Sequence, residues 1–231
     1  MRFKFKEFYG TSRNKTNENQ QRVFLEIRYR SVSLYMRNSE ATKENILKRS
    51  GVLFNTKGYK ATSISNITDA TGLTKGAIYR HFTNKHELEL ETLMHLSTIM
   101  FEKLRDRVKE QNTAGNKLRA VFKFFESYID SPPVKGGCPL MNAAVEAEHA
   151  HPGLRKGALK ILTTYRESLL AILNNGIKYK QINPDIDVQL YATLFFASLE
   201  GAVMMSKLSG NDSDIKRTVV YLEKQLKEIE V

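Results

Sequence analysis

The chain has 231 residues, 36 Lys and Arg against 25 Asp and Glu, and a formal net charge of +11. That length can bury one sizeable core, or one core with a small appended domain. A single cysteine, Cys138, excludes an internal disulfide framework and suits a reducing compartment. No uninterrupted apolar run of membrane-spanning length stands out, and the basic N-terminus is followed by polar residues, not by a signal-peptide core. The sequence therefore reads as cytoplasmic, with no membrane partner.

The charge is unevenly placed. Residues 1–35 hold eight Lys/Arg against three Asp/Glu, residues 36–86 nine against three, and residues 87–231 nineteen of each. All the excess lies in the N-terminal third, which points to a polyanion such as DNA. A basic face kept only for solubility is the plainer alternative.

Residues 1–38 show no stable period. They read either as a basic arm that follows a DNA backbone or as a mis-assigned start, with Met36 the true initiator. The first helix begins at Ser39 or Thr42 and runs to about Lys57, with Ile46, Ser50, Leu53 and Phe54 inside and Gly58 closing it. The next stretch, Thr62 to Lys85, reads TSISNITDATGLTKGAIYRHFTNK. Thr62 or Ser63 can cap a short helix carrying Ile64 and Ile67 on one face. Gly72 supplies the turn, Thr74 caps a second helix, and Ile78 and Phe82 form its buried side. Its outer side carries Lys75, Gly76, Ala77, Tyr79 and Arg80, a set suited to the edge of a DNA groove. Asn84 to Glu87 then reads as a capping box opening a long helix that continues to about Lys109.

In these residues, positions 42–90 resemble the DNA-binding domain of the TetR (tetracycline-repressor-like) family of bacterial transcriptional regulators. The resemblance rests on Ile46, Leu53-Phe54, Gly58-Tyr59, Thr62-Ser63-Ile64, Gly72-Leu73-Thr74-Lys75-Gly76, Tyr79, His81-Phe82, Lys85 and Leu88. Ser50 and Thr68 depart from it, standing where Ala is usual. The resemblance implies that Lys75, Gly76 and Ala77 face bases, and that Tyr79, His81, Lys85 and Ser63 meet phosphate. Thr62, Thr74 and Arg80 complete the expected DNA-binding set.

The remaining helices are expected over about 117–129, 139–149, 152 to about 180, 187–209 and 214–229, separated by Pro- and Gly-bearing breakers. The fold is thus all-α, about nine helices with no strand. Its expected domains are 1–38, a helix-turn-helix domain at 39–86 and a larger effector-binding and dimerisation bundle at 87–231. The helix over 187–209 is apolar all round, which calls for burial all round. In the resembled family the last two long helices pair with their copies in a second subunit. That implies a homodimer interface of Leu190, Leu194, Ala197, Gly201, Leu222 and Leu226.

A small-molecule effector is expected among Met100, Phe125, Cys138, Met141, Glu146, Tyr165 and Phe195. Cys138, before a helix N-terminus, is a chemical candidate for redox or electrophile sensing, although a lone cysteine is more often a small buried apolar residue. The run Glu146, Glu148, His149, His151 is the basis of a competing expectation, an all-α metal-dependent enzyme. HExxH, P-loop and nucleophile-elbow motifs are absent. The leading expectation is a non-enzymatic, effector-responsive repressor that binds a palindromic operator as a homodimer, without a cofactor.

Overall fold

The structure, a computed structural model, describes residues 38–147 and 152–231. The expectations for residues 1–37 and for Glu148, His149 and His151 lie outside the described residues. By its contacts the chain divides into a unit of residues 1–45 and a unit of residues 46–231. In the first, the described residues 38–45 are helical, and the Thr42 hydroxyl donates to the Asn38 carbonyl at 2.7 Å.

The second unit opens with the helical residues 46–57, here α1. There follow α2 (Ile64–Thr71), α3 (Lys75–Tyr79), α4 (Lys85–Lys109), α5 (Ala114–Glu126) and α6 (Pro139–Ala147). The chain ends with α7 (Pro152–Lys178), α8 (Val188–Ser209) and α9 (Ser213–Ile229). Among the described residues there is no strand, only an isolated antiparallel bridge between Ile182 and Glu230.

Side-chain caps set most of the helix starts. Ser63, not Thr62, caps α2, in a reciprocal box with Asn66. Thr74, Asn84, Thr113 and Asp187 cap α3, α4, α5 and α8 by accepting first-turn N–H groups. The Thr113 cap starts α5 three residues earlier than the apolar pattern indicates. Gly58 (φ +94°) and Gly72 (φ +70°) end α1 and α2 in the left-handed region that a side chain disfavours.

α4 packs on α5 and α7, α6 on α7 and α4, and α8 on α9 and α7. One apolar core runs from Ile46 and Phe54 through Leu88, Leu93 and Phe122 to Leu199, Leu222 and Leu226. One expectation for α8 is corrected here. By length and composition it is apolar enough to cross a membrane, although Glu200 and Lys207 interrupt its apolar run. It is not buried all round, since only one side (Ala192, Phe195, Leu199, Ala202, Val203, Ser206) meets the bundle. Leu190, Leu194, Met204, Met205 and Leu208 stay exposed, as do Val220 and Tyr221 of α9. Leu222 and Leu226 are buried in the chain's own core, so they are corrected out of the expected dimer surface. They fall at the opposite phase of α9 from Val220 and Tyr221.

Candidate nucleic-acid interface and effector chamber

The α2–α3 pair is built so that one side is sealed and the other open. Ile67, Ile78 and Phe82 are buried, whereas Thr74, Lys75, Gly76, Tyr79 and Arg80 are exposed. The Thr74 hydroxyl accepts from the Ala77 N–H at 3.2 Å, so this cap is spent on the helix. A Cβ at Gly76 would meet nothing within 4 Å, leaving the backbone there reachable. The Lys75 ammonium stands 5.9 Å from the centre of the Tyr79 ring, a cation–π placement on the exposed face. His81 is half-buried, its ring tilted against Phe82. Ser63 is exposed, with its hydroxyl shared between Asn66 groups.

Two expected DNA contacts take other places. Thr62 is fully buried, and its hydroxyl donates to the Gly58 carbonyl at 2.7 Å. It is corrected to a structural brace for the α1–α2 turn. The Lys85 ammonium donates to the Tyr59 carbonyl at 2.8 Å and pairs with the buried Glu89 at 2.9 Å. An ammonium has three donors, so this clamp leaves one for another partner.

The Tyr59–Lys60 turn is also gripped from the other side. Glu146 of α6 accepts the Tyr59 N–H and the Lys60 N–H, each at 2.9 Å. A Cβ at Gly58 would come within 2.7 Å of that carboxylate, so glycine serves both the turn and the approach. The Tyr59 ring stacks on Phe54 at 5.0 Å, and burial, with Glu146 and Glu89 adding, pushes its phenol well up. A second joint lies one turn back. The Asn55 amide donates to the Lys135 and Gly137 carbonyls, and the Asn142 amide of α6 donates to Asn55. Glu146 is thus corrected from effector or metal ligand to a tie between α6 and the end of α1. Among the described residues no three His, Cys, Asp or Glu converge as a metal site.

Inside the bundle, α4, α5, α7 and α8 enclose an apolar chamber of about 300 Å³. Of the seven expected pocket residues it brings together Phe125 and Tyr165. Phe196, not Phe195, faces it, stacked on Tyr165 at 5.1 Å. Phe195 turns one position away and meets Phe122 edge-on. Met100 lies behind, accepting the Tyr128 hydroxyl on its sulfur at 3.6 Å. Met141 is half-buried and does not line the chamber.

Cys138 is buried, and its thiol donates to Glu200 Oε1 of α8 at 3.0 Å. Burial and the Glu200 carboxylate push the thiol well up, and N–H groups at the start of α6 oppose this only in part. Of the two readings of Cys138, the small buried residue fits this environment and the reactive thiolate does not. Burial raises Glu200 to about 7, and its Oε2 is buried with no hydrogen-bond partner among the described residues. Sequence reasoning passed over Phe101, Arg105 and Phe196 in the chamber wall and Glu200 beside Cys138. For Glu200 a signal existed, a lone carboxylate in an otherwise apolar stretch. For Asn55 and Asn142, 87 positions apart, there was none.

Comparisons with known proteins follow the same division. Residues 46–92 match the family described as bacterial regulatory proteins, tetR family, and residues 114–222 match the tetracyclin repressor-like C-terminal domain. A TetR transcriptional regulator from Chloroflexus aurantiacus superposes with a TM-score of 0.81 at 30% identity, over 84% of this chain and 98% of that one. The chain belongs to the TetR family. A second member of known structure, from Cytophaga hutchinsonii, is 31% identical with a TM-score of 0.78, over 84% of this chain and 97% of its own. Among curated TetR-like relatives, the HTH-type transcriptional repressor KstR2 of Rhodococcus jostii (strain RHA1) is 28% identical over 154 residues, 64% of this chain and 71% of that protein. The protein is accordingly a DNA-binding transcriptional regulator of all-α fold.

Proposed function

We propose that the protein is an effector-responsive repressor that acts in the cytoplasm as a homodimer on a palindromic operator. The observation that carries this is the open face of α3, where Lys75, Gly76, Tyr79 and Arg80 are exposed above a sealed core. Lys75 at the helix start can reach guanine O6 and N7, and Tyr79 and Arg80 can hold phosphate. Ser63, Ala77, His81 and the free donor of Lys85 remain secondary contacts.

Pairing through the bare side of α8 and α9 would bury Leu190, Leu194, Ala197 and Val220 against a second copy. A Cβ at Gly201 would meet nothing within 4 Å of its own chain, which leaves room for a closely crossing helix. Two α3 helices set one DNA turn apart would then enter successive major grooves. An effector in the α4–α8 chamber would shift α4 and α6, both of which hold the Tyr59 turn. By linkage, such an effector binds the DNA-free form more tightly than the bound one.

The test is protection mapping on the DNA flanking the protein's own gene, with Lys75→Ala and Arg80→Ala variants. Lys75→Ala is expected to relax discrimination at one position by about 1–3 kcal/mol. Arg80→Ala should weaken all sequences alike and lower the salt slope by about one. A Lys75→Ala protein with unchanged affinity and selectivity would overturn the contact assignment. Leu194→Glu should convert the dimer to monomer in sedimentation.

A further inference from the structure

We propose that the bundle binds an anionic amphiphile of medium length, its apolar chain in the chamber and its carboxylate or phosphate head in a cationic cleft beside it. The proposal rests on the effector-responsive reading and gives that effector a chemical class. The chamber is walled by Phe101, Val121, Phe125, Tyr165, Ile172 and Phe196, and among the described residues Arg105 is the one charged group lining it. Such a cavity has too few polar partners to hold ordered water and takes an apolar body instead. At about 30 Å³ for each water-sized group, it holds a chain on the order of ten such groups.

The neighbouring cleft, about 410 Å³, shares Arg105, Val108, Ala171 and Ile172 with the chamber. It adds Lys109 and Lys117 together with amide and hydroxyl groups, and no described carboxylate lines it. Asp106 engages Lys109 at 2.8 Å and also feels the Arg105 charge, while neither Arg105 nor Lys117 closes an ion pair at contact distance among the described residues. Ala114, the first residue of α5, lies in the same cleft, but its N–H is spent on the Gln181 side chain at 2.7 Å and the Glu230 carboxylate lies against Gly115, so Arg105 and Lys117 are the groups left to meet an anion. A cationic head would be repelled there, and a neutral one would leave the guanidinium at the chamber's edge unused. An anionic head on an apolar chain matches both compartments at once. The ligand would lie along the second half of α4, the helix whose first turn holds the Tyr59 carbonyl through Lys85.

The test titrates the full-length protein, without DNA, with decanoate, decyl phosphate and decanoyl-coenzyme A. Decanol and decyltrimethylammonium serve as neutral and cationic controls, and calorimetry gives Kd. The anions should bind at one per chain and at least about tenfold tighter than the controls. Their ranking separates a free carboxylate, a phosphate ester and a nucleotide thioester as the source of the head. The double variant Arg105→Ala, Lys117→Ala should weaken the tightest anion by about tenfold or more. Ile172→Trp, which fills the chamber, should remove binding, with circular dichroism confirming the fold and Ala171→Phe at the shared wall as the second variant. Equal binding of either control, or an unchanged Kd in the double variant, overturns the head assignment. An unchanged Kd in the folded chamber variants overturns the chain assignment, and no binding by any of the three anions overturns the proposal. Because binding is read without DNA, these failures are distinct from a failure to protect an operator.

Discussion

Glu146 on α6 and Glu200 on α8 are both turned inward, and the chain treats them in opposite ways. Glu146 receives two backbone N–H groups from the Tyr59–Lys60 turn, one on each oxygen. Glu200 receives one thiol, and its second oxygen is buried without a donor among the described residues. The first arrangement is a matched joint between α6 and the turn that follows α1. The second holds unfavourable free energy inside the bundle, because a desolvated carboxylate oxygen has lost its water and gained nothing. The comparison locates rigidity at the domain contact and unrelieved tension beside the chamber. That is the distribution a ligand-driven regulator needs if its bundle is to move while its DNA-binding end stays intact.

The largest expected effect lies in the bundle. Phe125 packs on Tyr128, Tyr165, Phe196 and Phe124. Phe125→Ala should cost about 3–5 kcal/mol, read as a shift in denaturant midpoint. A smaller loss would mean that the chamber collapses easily, and would weaken the contrast just drawn.

The next effect concerns Glu200 and pH. Its folded value of about 7 lies above the ordinary 4.5, so the folded chain binds the proton more tightly than the unfolded one. With respect to this group, stability is greatest below pH 4.5, declines as pH rises towards 7, and is level above that. At about 1.4 kcal/mol for each pH unit the span is on the order of 3 kcal/mol. Glu200→Gln should flatten this slope and melt higher than the parent at pH 8. Equal slopes in thermal melts at pH 5 and pH 8 would show that the carboxylate is not under tension.

Glu146→Ala should cost about 1.5–3 kcal/mol through the loss of two hydrogen bonds to a carboxylate, the half-buried one at Tyr59 weighing more than the exposed one at Lys60. Amide hydrogen exchange should accelerate at Tyr59 and Lys60, and unchanged protection there would remove the joint from the argument. The smallest effect has the opposite sign. Ser50 is fully buried and its hydroxyl has no partner among the described residues, so Ser50→Ala should raise stability by about 1 kcal/mol in the same denaturant assay. This position is also one of the two departures from the family pattern.

Local chemistry made the DNA-binding end readable. The caps at Ser63, Thr74 and Asn84, the turns at Gly58 and Gly72, and the buried face of Ile67, Ile78 and Phe82 all act within a few residues of themselves. The bundle was readable as helices but not as a site. A helical pattern gives the side of a residue only to within part of a turn, and that error exchanged Phe195 for Phe196 and put Leu222 and Leu226 outside. The lone cysteine was visible, yet its protonated state was not, because it follows first from burial under distant helices and then from Glu200, 62 positions away on α8.

The amino-acid sequence alone determined the all-α architecture, the helix-turn-helix and the concentration of positive charge around it, since these follow from spacing, capping and composition. Only the tertiary structure decided that Thr62 and Lys85 turn inward, that Glu146 ties α6 to the end of α1, and that Glu200 is left with an unmatched oxygen. Each of those facts depends on which distant groups meet, and that is settled by the packing of whole helices rather than by any neighbour along the chain.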